Sequence, residues 1–233
     1  MSDQKKITNK IQIAILAFFI VFMPLGSWYY LQSGFDYHED LMSELKDYGK
    51  IPEFDLLTQN NTRFVNSDLQ GKMTIANFYD DDSPSTAISM DYARRILGQF
   101  KSQKDLIFLF HSLSPAVQND SLLKTFAKKE DLLDKRAYFL SGDKDQMTRL
   151  LTSSYKIPLL DERKEDGSIS FKSNVNELPE EYPYFVLIDT SLTIRNYYNI
   201  SDEASMNRLV EHLAIILPRE KKSKAEHRPQ KEK

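Results

Sequence analysis

Hydrophobic and polar positions divide the chain into an apolar N-terminal stretch, a longer mixed region and a strongly polar end. The residues from Ile11 to Leu31 include no charged side chain. At about 1.5 Å per residue they would form a helix about 30 Å long, which matches the hydrocarbon core of a bilayer. The pattern therefore predicts a transmembrane helix over 11–31 that is in contact with membrane lipid.

The charges on either side of this stretch predict its orientation. Lysines precede it and acidic residues follow it, namely Lys5, Lys6, Lys10, Asp36, Glu39 and Asp40. The positive-inside rule then places residues 1–10 in the cytoplasm and the remainder on the outer, periplasmic side of the cytoplasmic membrane. A cleavable signal peptide is the alternative because the run Ile11–Met23 is short enough, but Pro24-Leu25-Gly26-Ser27 is a poor cleavage site.

After the apolar stretch, runs typical of strands alternate with segments of helical spacing. The predicted strands are Met73–Tyr79, Leu106–Leu113, Arg136–Ser141, Tyr184–Asp189 and Thr193–Tyr198. The predicted helices are Pro84–Phe100, Ser121–Leu133, Asp143–Tyr155 and Met206–Leu217. In the first helix, the residues expected to face the core are Ile88, Tyr92, Ile96 and Leu97.

The order β-α-β-α-β-α-β-β-α predicts an α/β fold of thioredoxin-like pattern, with a mostly parallel central sheet, a terminal antiparallel hairpin and helices on both faces. Residues 51–218 are the predicted domain, in which Ile169-Ser170-Phe171 is expected to add a short strand. Residues 32–50 are predicted to be a stalk with a short helix over 37–45. Residues 219–233 are predicted to be a charged, disordered tail.

Composition then excludes several kinds of chemistry. The chain has no cysteine among its 233 residues. Disulfides, thiolate nucleophiles, zinc sites with cysteine ligands and iron–sulfur clusters are therefore excluded. The net charge of −3 provides no strong basic field, so no nucleic-acid partner is expected.

Three short motifs lie between residues 51 and 217. The segment from Ile51 reads I-P-E-F-D-L-L-T-Q-N, Ser67–Lys72 reads S-D-L-Q-G-K, and Val186–Asp189 reads V-L-I-D. They resemble the motifs I-P-x-F-x-L-x-x-Q-N/D, D-L-x-G-K and Y-L-I-D of the SCO/SenC family, which are membrane-tethered thioredoxin-fold copper chaperones associated with copper delivery to cytochrome oxidase. The resemblance implies that fold, and a partner in respiratory oxidase assembly.

The same resemblance implies a site at the start of the helix after the first central strand. In the family, a Cys-Pro-x-x-x-Cys-like motif and one distant histidine bind copper, a ligand set suited to Cu(I). Here Ser83 and Ala87 stand at the cysteine positions, Pro84 retains the proline, and the histidine position falls near Glu181. The resemblance would imply copper, but the two thiols and the imidazole that bind it are absent here. No cofactor is therefore expected, and Ser83, Pro84, Ala87 and Glu181 are predicted to be a vestigial site.

The residues around this site leave two structural roles open. A hard cation such as calcium or magnesium would have four weak candidate ligands, the carboxylates of Asp80, Asp81, Asp82 and Glu181. The favoured alternative is helix capping, in which Ser83 is the N-cap, Pro84 is the first helical residue and the preceding acids stabilise the positive helix end.

Two further candidates concern catalysis and partner binding. A nucleophilic Ser83 would need a base such as His111, but no Gly-x-Ser-x-Gly elbow is present, and His111 is expected to bind backbone or solvent at a strand end. Pro183 precedes a strand where thioredoxin-like folds often carry a cis-proline. A cis-proline there would expose backbone for an extended peptide, and an ordinary trans proline is an equal alternative.

These expectations favour a non-catalytic SCO/SenC-like protein that acts as a binding or assembly module linked by resemblance to respiratory oxidase biogenesis. The alternatives are a hard-cation-binding module, a hydrolase or cysteine-independent redox enzyme, and a copper-homeostasis protein that uses non-thiol ligands.

Overall fold

The structure is a computed structural model that describes residues 2–81, 83–114, 120–157, 160–163, 169–171 and 182–217. The chain divides into two compact units, Met1–Glu44 and Leu45–Lys233. The first unit contains helix α1, Ser2–Ser43. Within Ile15–Ser43, this helix is long and apolar enough to cross a membrane, and its large apolar side chains from Ile15 to Tyr37 are exposed. This finding agrees with the transmembrane helix predicted over 11–31.

The predicted stalk is not a separate element. Residues 32–43 continue α1, so the short helix predicted over 37–45 is the last part of a longer one. The helix continues because residues 32–43 contain no proline and a single glycine, Gly34, which costs a helix about 1 kcal/mol.

The second unit begins with a segment that pairs with the sheet. Lys46 N donates to Arg195 O (3.1 Å), and Tyr48 N donates to Ile194 O (3.0 Å). These bonds satisfy backbone groups on the outer side of a strand, which would otherwise need solvent partners. The folded unit therefore begins at Leu45, ahead of the first residue of the predicted domain.

A seven-stranded sheet forms the centre of this unit, in the order β2-β1-β5-β4-β3-β8-β9, and β6 and β7 form a separate hairpin. The strands within the described residues are β1 (Asp55–Thr58), β2 (Arg63–Val65), β3 (Met73–Tyr79), β4 (Leu106–Ser112), β5 (Ala137–Ser141), β6 (Leu160–Arg163), β7 (Ile169–Phe171), β8 (Tyr184–Ile188) and β9 (Ile194–Asn199). The predicted hairpin after residue 183 and the predicted short strand at 169–171 are both confirmed.

The thioredoxin-like fold is confirmed, although the sheet is more mixed than predicted. The pairs β3–β4 and β4–β5 are parallel, whereas β1–β2, β1–β5, β3–β8 and β8–β9 are antiparallel. The difference arises largely at β1 and β2, which are too short to show a clear hydrophobic period and are held by pairing with each other and with β5.

Helices cover both faces of the sheet, as predicted. One face, called the α2 face, packs against α2 (Pro84–Gln99), α3 (Asp120–Lys129) and α5 (Glu203–Ile216). The other, called the α4 face, packs against α4 (Lys144–Arg149) and the π-helical turn Leu150–Ser154 that continues it. Each face has its own hydrophobic cluster, so side chains of one strand alternate between two separate environments.

The core-facing side of α2 contains Ile96, Leu97 and the partly buried Tyr92, as predicted, but it differs from the prediction in the first turns. Ile88 is 42% exposed, although it was expected in the core with Ile96. The buried positions are those of Ser85, Thr86, Ser89, Met90, Ala93, Ile96 and Leu97. Small polar side chains thus face the sheet in the first turns, and hydrophobic periodicity alone could not identify that side.

Arg136, just before β5, holds the C-terminal end of α2. Its Nη1 donates to Phe100 O (2.8 Å) and its Nη2 to Leu97 O (3.0 Å). The same guanidinium binds the Asp134 carboxylate (Nη2 to Oδ2, 2.8 Å), which lowers the pKa of that carboxyl. Because the last carbonyls of a helix have no intrahelical partners, this single side chain ties α2 to the start of β5.

Candidate functional site

The carboxyl ends of β3 and β4 and the beginning of β8 meet at one edge of the sheet, called the site edge. Leu113 N donates to Tyr79 O (2.9 Å), which extends the β3–β4 pairing to this edge. On the other side of β3, Asn77 Nδ2 donates to Tyr184 O (3.0 Å) and fixes the start of β8. Ligands of open α/β sheets bind beyond the carboxyl ends of strands, so this edge is the candidate site.

Pro183 lies half-buried at the site edge. The peptide bond before it is trans, since the described residues contain no cis peptide bond. Its carbonyl accepts from Ile200 N (2.8 Å), and Tyr184 N donates to Tyr182 O (2.7 Å). The cis alternative is therefore not realised, and part of this backbone is already bonded within the domain.

The vestigial positions Ser83, Pro84 and Ala87 lie at the beginning of α2. Ser83 has the extended backbone of an N-cap residue (φ −79°, ψ 133°), and Pro84 opens the helix. The Ser83 hydroxyl forms no side-chain cap and instead shares a hydrogen bond with Ser85 Oγ (2.8 Å). The predicted helix start is confirmed, whereas the predicted cap by the Ser83 side chain is wrong because its hydroxyl is paired elsewhere.

This geometry gives a stability prediction for two helix starts. Replacing Ser83 by alanine is expected to change the unfolding free energy by less than about 0.5 kcal/mol, because its hydroxyl satisfies no orphan backbone donor. Replacing Asp143 by alanine is expected to cost about 1 kcal/mol, since its carboxylate accepts from Gln146 N (2.8 Å) at the start of α4. Urea unfolding of residues 45–233 measures both, and equal losses would contradict the geometry at Ser83.

Asp80 and Asp81 connect β3 to α2. The backbone carbonyl of Asp80 accepts from Ser83 N (3.0 Å) and from Thr86 Oγ1 (2.7 Å), which fixes the turn. Burial raises the pKa of Tyr182, and the negative charge of Asp80 raises it further. The Asp80 carboxylate therefore lies within electrostatic reach of the Tyr182 phenol, which belongs to the segment before β8.

The metal-ligand candidates are only partly described, because Asp82 and Glu181 lie outside the described residues. Among the residues that are described, no group of three or more His, Cys, Asp or Glu side chains is arranged to hold a metal ion. The described donors near the start of α2 are the hydroxyls of Ser83 and Ser85 and the carboxylates before them. These are hard oxygen ligands, so the residues present do not fit the Cu(I) ion that the resemblance implies.

Buried polar side chains lie beneath the site edge. Asn77 Oδ1, Tyr79 OH and Ser112 Oγ have no hydrogen-bond partner among the described residues. Burial raises the pKa of Tyr79, and the charge of Asp81 raises it further. The Ser112 hydroxyl is near enough to oppose that rise, although its geometry falls short of a hydrogen bond. The sequence analysis did not identify Asn77. The signal that could have indicated it is an amide side chain within an otherwise apolar strand.

His111 faces the α4 side of the sheet, opposite to α2. It is fully buried, stacks on Phe78 (ring centroids 4.6 Å apart) and meets the edge of Tyr155 (5.4 Å). Its Nδ1 donates to Asn77 O (3.3 Å), which confirms the expected backbone bond, and burial lowers its pKa to about 4. Because the sheet separates His111 from α2, it is not placed to act as a base for Ser83.

Comparisons with known proteins give matches in structure alone. No family model and no curated protein matches the sequence. BsSco, a member of the Sco family of cytochrome c oxidase assembly proteins, gives a TM-score of 0.55 at 16% identity over 73% of this chain and 95% of that chain. A SCO1/SenC family lipoprotein from Bacillus anthracis gives 0.55 at 19% identity, over 72% and 96%. Copper-bound yeast Sco1 gives 0.51 at 18% identity, over 73% and 91%.

The similarity of these structures establishes a shared fold, and the low sequence identities support no conclusion beyond the fold. The resemblance inferred from the three sequence motifs is confirmed at that level, and the shared region covers nearly the whole of each neighbour. The chain therefore has the thioredoxin-like fold of the Sco/SenC proteins, with a hydroxyl at Ser83 and a methyl group at Ala87 where the resemblance implies thiols.

Proposed function

We propose that the chain is a single-pass membrane protein that holds its thioredoxin-like domain on the outer side of the cytoplasmic membrane as a non-catalytic binding or assembly factor. The proposed partner is a component of respiratory cytochrome oxidase biogenesis. One observation carries the proposal: the helix start at the site edge is intact, yet Ser83 and Ala87 supply a hydroxyl and a methyl group in a chain without cysteine.

The chemistry of the site edge favours binding over catalysis. A serine nucleophile needs a base in reach, and Ser83 Oγ is paired with another hydroxyl, while His111 lies on the other face of the sheet. The pKa values of the tyrosines Tyr79, Tyr182 and Tyr184 at this edge are all raised, chiefly by burial, which opposes their ionisation near neutral pH. A tyrosine that acts as an activated nucleophile or base would require a pKa lowered towards neutral pH.

The membrane location is supported by α1 and by the charges around its apolar part. The lysines before residue 11 and the acids after residue 35 favour a cytoplasmic N-terminus. The similarity to a SCO1/SenC family lipoprotein is compatible with a tethered domain, and the similarity to BsSco supplies the proposed link to oxidase assembly. The proposed topology is therefore residues 1–10 inside and residues 32–233 outside.

Crosslinking in native membranes tests this function. The full-length chain, carrying an affinity tag, is crosslinked and purified beside a tagged control that contains residues 1–44 alone, which removes partners of the helix. We expect oxidase subunits or copper-handling proteins to be enriched with the full chain and absent from the control. Recovery of a different coherent set of proteins would overturn the oxidase link, and no enrichment would overturn the assembly role.

A Cu(I) competition titration of the same protein tests the non-catalytic part. We expect no tight binding, because the start of α2 offers hydroxyls in place of thiolates. The matched control is the double variant Ser83→Cys/Ala87→Cys, which restores two thiols at the implied positions. Cu(I) binding by the native chain in about the nanomolar range would contradict a vestigial site and revive the copper-homeostasis alternative.

A further inference from the structure

We propose that His111 and Tyr155, buried on the α4 face, bind an internal water molecule that bridges His111 Nε2 and the Tyr155 hydroxyl. These two groups are called the inner site. The inference goes beyond the proposed function and does not depend on the identity of the partner. It assigns a ligand to two buried polar groups that the proposed function does not use.

His111 presents one ring nitrogen to the inner site. Its Nδ1 must donate to Asn77 O (3.3 Å), because a carbonyl oxygen only accepts. Burial lowers the pKa of His111 to about 4, so the ring is neutral near pH 7 and its Nε2 is left as an acceptor. This nitrogen is buried and has no hydrogen-bond partner among the described residues.

Tyr155 presents a hydroxyl on the same face of the sheet. It follows the π-helical turn Leu150–Ser154, and its N donates to Leu150 O (2.9 Å). Its ring is in edge-to-face contact with His111 (ring centroids 5.4 Å apart) and with Phe78 (5.1 Å). Its hydroxyl is likewise buried, without a partner in the part of the chain that the structure describes. Such turns are frequent at functional sites, and this one holds Tyr155 beside His111.

A second buried tyrosine–histidine pair shows the geometry of a direct bond in this domain. The Tyr198 hydroxyl and His212 Nδ1 are hydrogen-bonded at 2.8 Å, and their ring centroids are 5.8 Å apart. The rings of Tyr155 and His111 are closer, yet the hydroxyl and Nε2 form no direct bond. The directions of the side chains therefore prevent the bond, and a bridging molecule is the way to pair both groups.

The chemistry of the inner site selects water as its ligand. Buried polar groups are nearly always paired with protein or with water, since an unpaired group destabilises the folded state. A water molecule can donate to His111 Nε2 and accept from the Tyr155 hydroxyl, which gives it the two polar partners that an internal water needs. An ion would gain no charge partner, because burial lowers the pKa of His111 and raises that of Tyr155, so that both side chains are neutral.

The inner site is connected to the site edge through Asn77. His111 Nδ1 donates to the Asn77 carbonyl, and Asn77 Nδ2 donates to Tyr184 O (3.0 Å) at the start of β8. A water that donates to Nε2 stabilises the tautomer in which Nδ1 carries the proton, which is the one that the bond to Asn77 requires. The internal water is therefore expected to support the backbone beneath the site edge.

Conservative substitutions in the full-length chain test the inference by the sign of their effect. Tyr155→Phe removes only the hydroxyl, and we expect the unfolding equilibrium constant, measured by urea unfolding in detergent, to rise about fivefold because a hydrogen bond to water is lost. The matched control is Tyr198→Phe, which breaks the direct bond to His212 and is expected to raise the constant by a similar factor, about fivefold. An unchanged or lower constant for Tyr155→Phe would overturn the inference, because removing an unpaired buried hydroxyl is neutral or stabilising.

A crystal structure of the full-length chain, at a resolution that shows ordered water, identifies the ligand. We expect one water within hydrogen-bond distance of both the Tyr155 hydroxyl and His111 Nε2. A direct bond between these two atoms, or a site without density for water, would contradict the inference even where Tyr155→Phe is destabilised. In nitrogen-15 NMR of labelled histidine, we expect Nε2 of His111 to resonate as a hydrogen-bonded acceptor, and the resonance of a free ring nitrogen would also overturn the inference.

Discussion

Replacing Arg136 by methionine is expected to lower the unfolding free energy of residues 45–233 by about 3 kcal/mol. Methionine keeps the apolar stem but removes the guanidinium that binds Leu97 O, Phe100 O and the Asp134 carboxylate. The side chain of Arg136 is only 13% exposed, so solvent cannot easily take over these bonds. The change leaves helix carbonyls and a carboxylate without their donor, and unsatisfied groups cost more than the bond itself contributes.

A matched control separates this role from that of an ordinary surface ion pair. Arg95 binds Asp91 (2.8 Å) one helical turn away, but its side chain is 71% exposed. Arg95→Met is expected to change the unfolding free energy by less than about 0.5 kcal/mol. Urea unfolding followed by far-ultraviolet circular dichroism measures both variants. A loss below about 1 kcal/mol for Arg136→Met, or equal losses for the two, would contradict the anchoring role.

Lowering the pH from about 6.5 to about 4 is expected to reduce the unfolding free energy by about 3 kcal/mol through His111 alone. The folded domain holds the pKa of His111 at about 4, against an ordinary value of 6.5, because burial among aromatic rings disfavours the charged imidazole. Within this range the unfolded chain binds a proton that the folded chain does not. The part of the unfolding free energy that depends on neutral His111 is therefore fully present above pH 6.5 and is lost progressively as the pH falls towards 4.

His111→Phe provides the control, since phenylalanine can still stack on Phe78 and cannot be protonated. As the pH falls from about 6.5 to about 4, the unfolding free energy of the native domain is expected to fall by about 3 kcal/mol relative to that of this variant. Buried His212 is present in both proteins, so the difference isolates His111. Asp55 and Asp134, whose pKa values are lowered because Arg63 and Arg136 bind them, are likewise present in both proteins, so their titration cancels in the difference. Parallel pH curves for the two proteins would contradict the assignment.

The elements that could be predicted from the sequence are those with a local signal, such as an apolar run or a proline at a helix start. Met73–Tyr79 is buried throughout and was predicted with its observed bounds, because a run of apolar residues needs no partner to be recognised. The Ser83-Pro84 pair likewise predicted where α2 begins, since proline favours the first helical position. In both cases local preference and tertiary structure agree.

Other features depend on contacts that no local pattern contains. Ile88 was assigned to the core because it is apolar, yet small polar residues occupy the side of α2 that approaches the sheet. His111 was expected at a strand end near backbone or solvent, and its burial depends on rings from distant segments, such as Tyr155. Tertiary packing determines whether the side chains at such positions are exposed or buried, so sequence periodicity could not predict it.

Among the described residues, both lateral sides of the seven-stranded sheet are partly closed to pairing with another copy of the chain. The backbone bonds from Lys46 and Tyr48 occupy the carbonyls of Arg195 and Ile194 at the beginning of β9. At the far side β2 has only three residues, with Arg63 paired to Asp55 (2.6 Å). Short and charged terminal strands discourage intermolecular β-pairing. This arrangement limits aggregation of the domain, and a fragment cut at Ile51 would lose the backbone bonds of Lys46 and Tyr48 to β9.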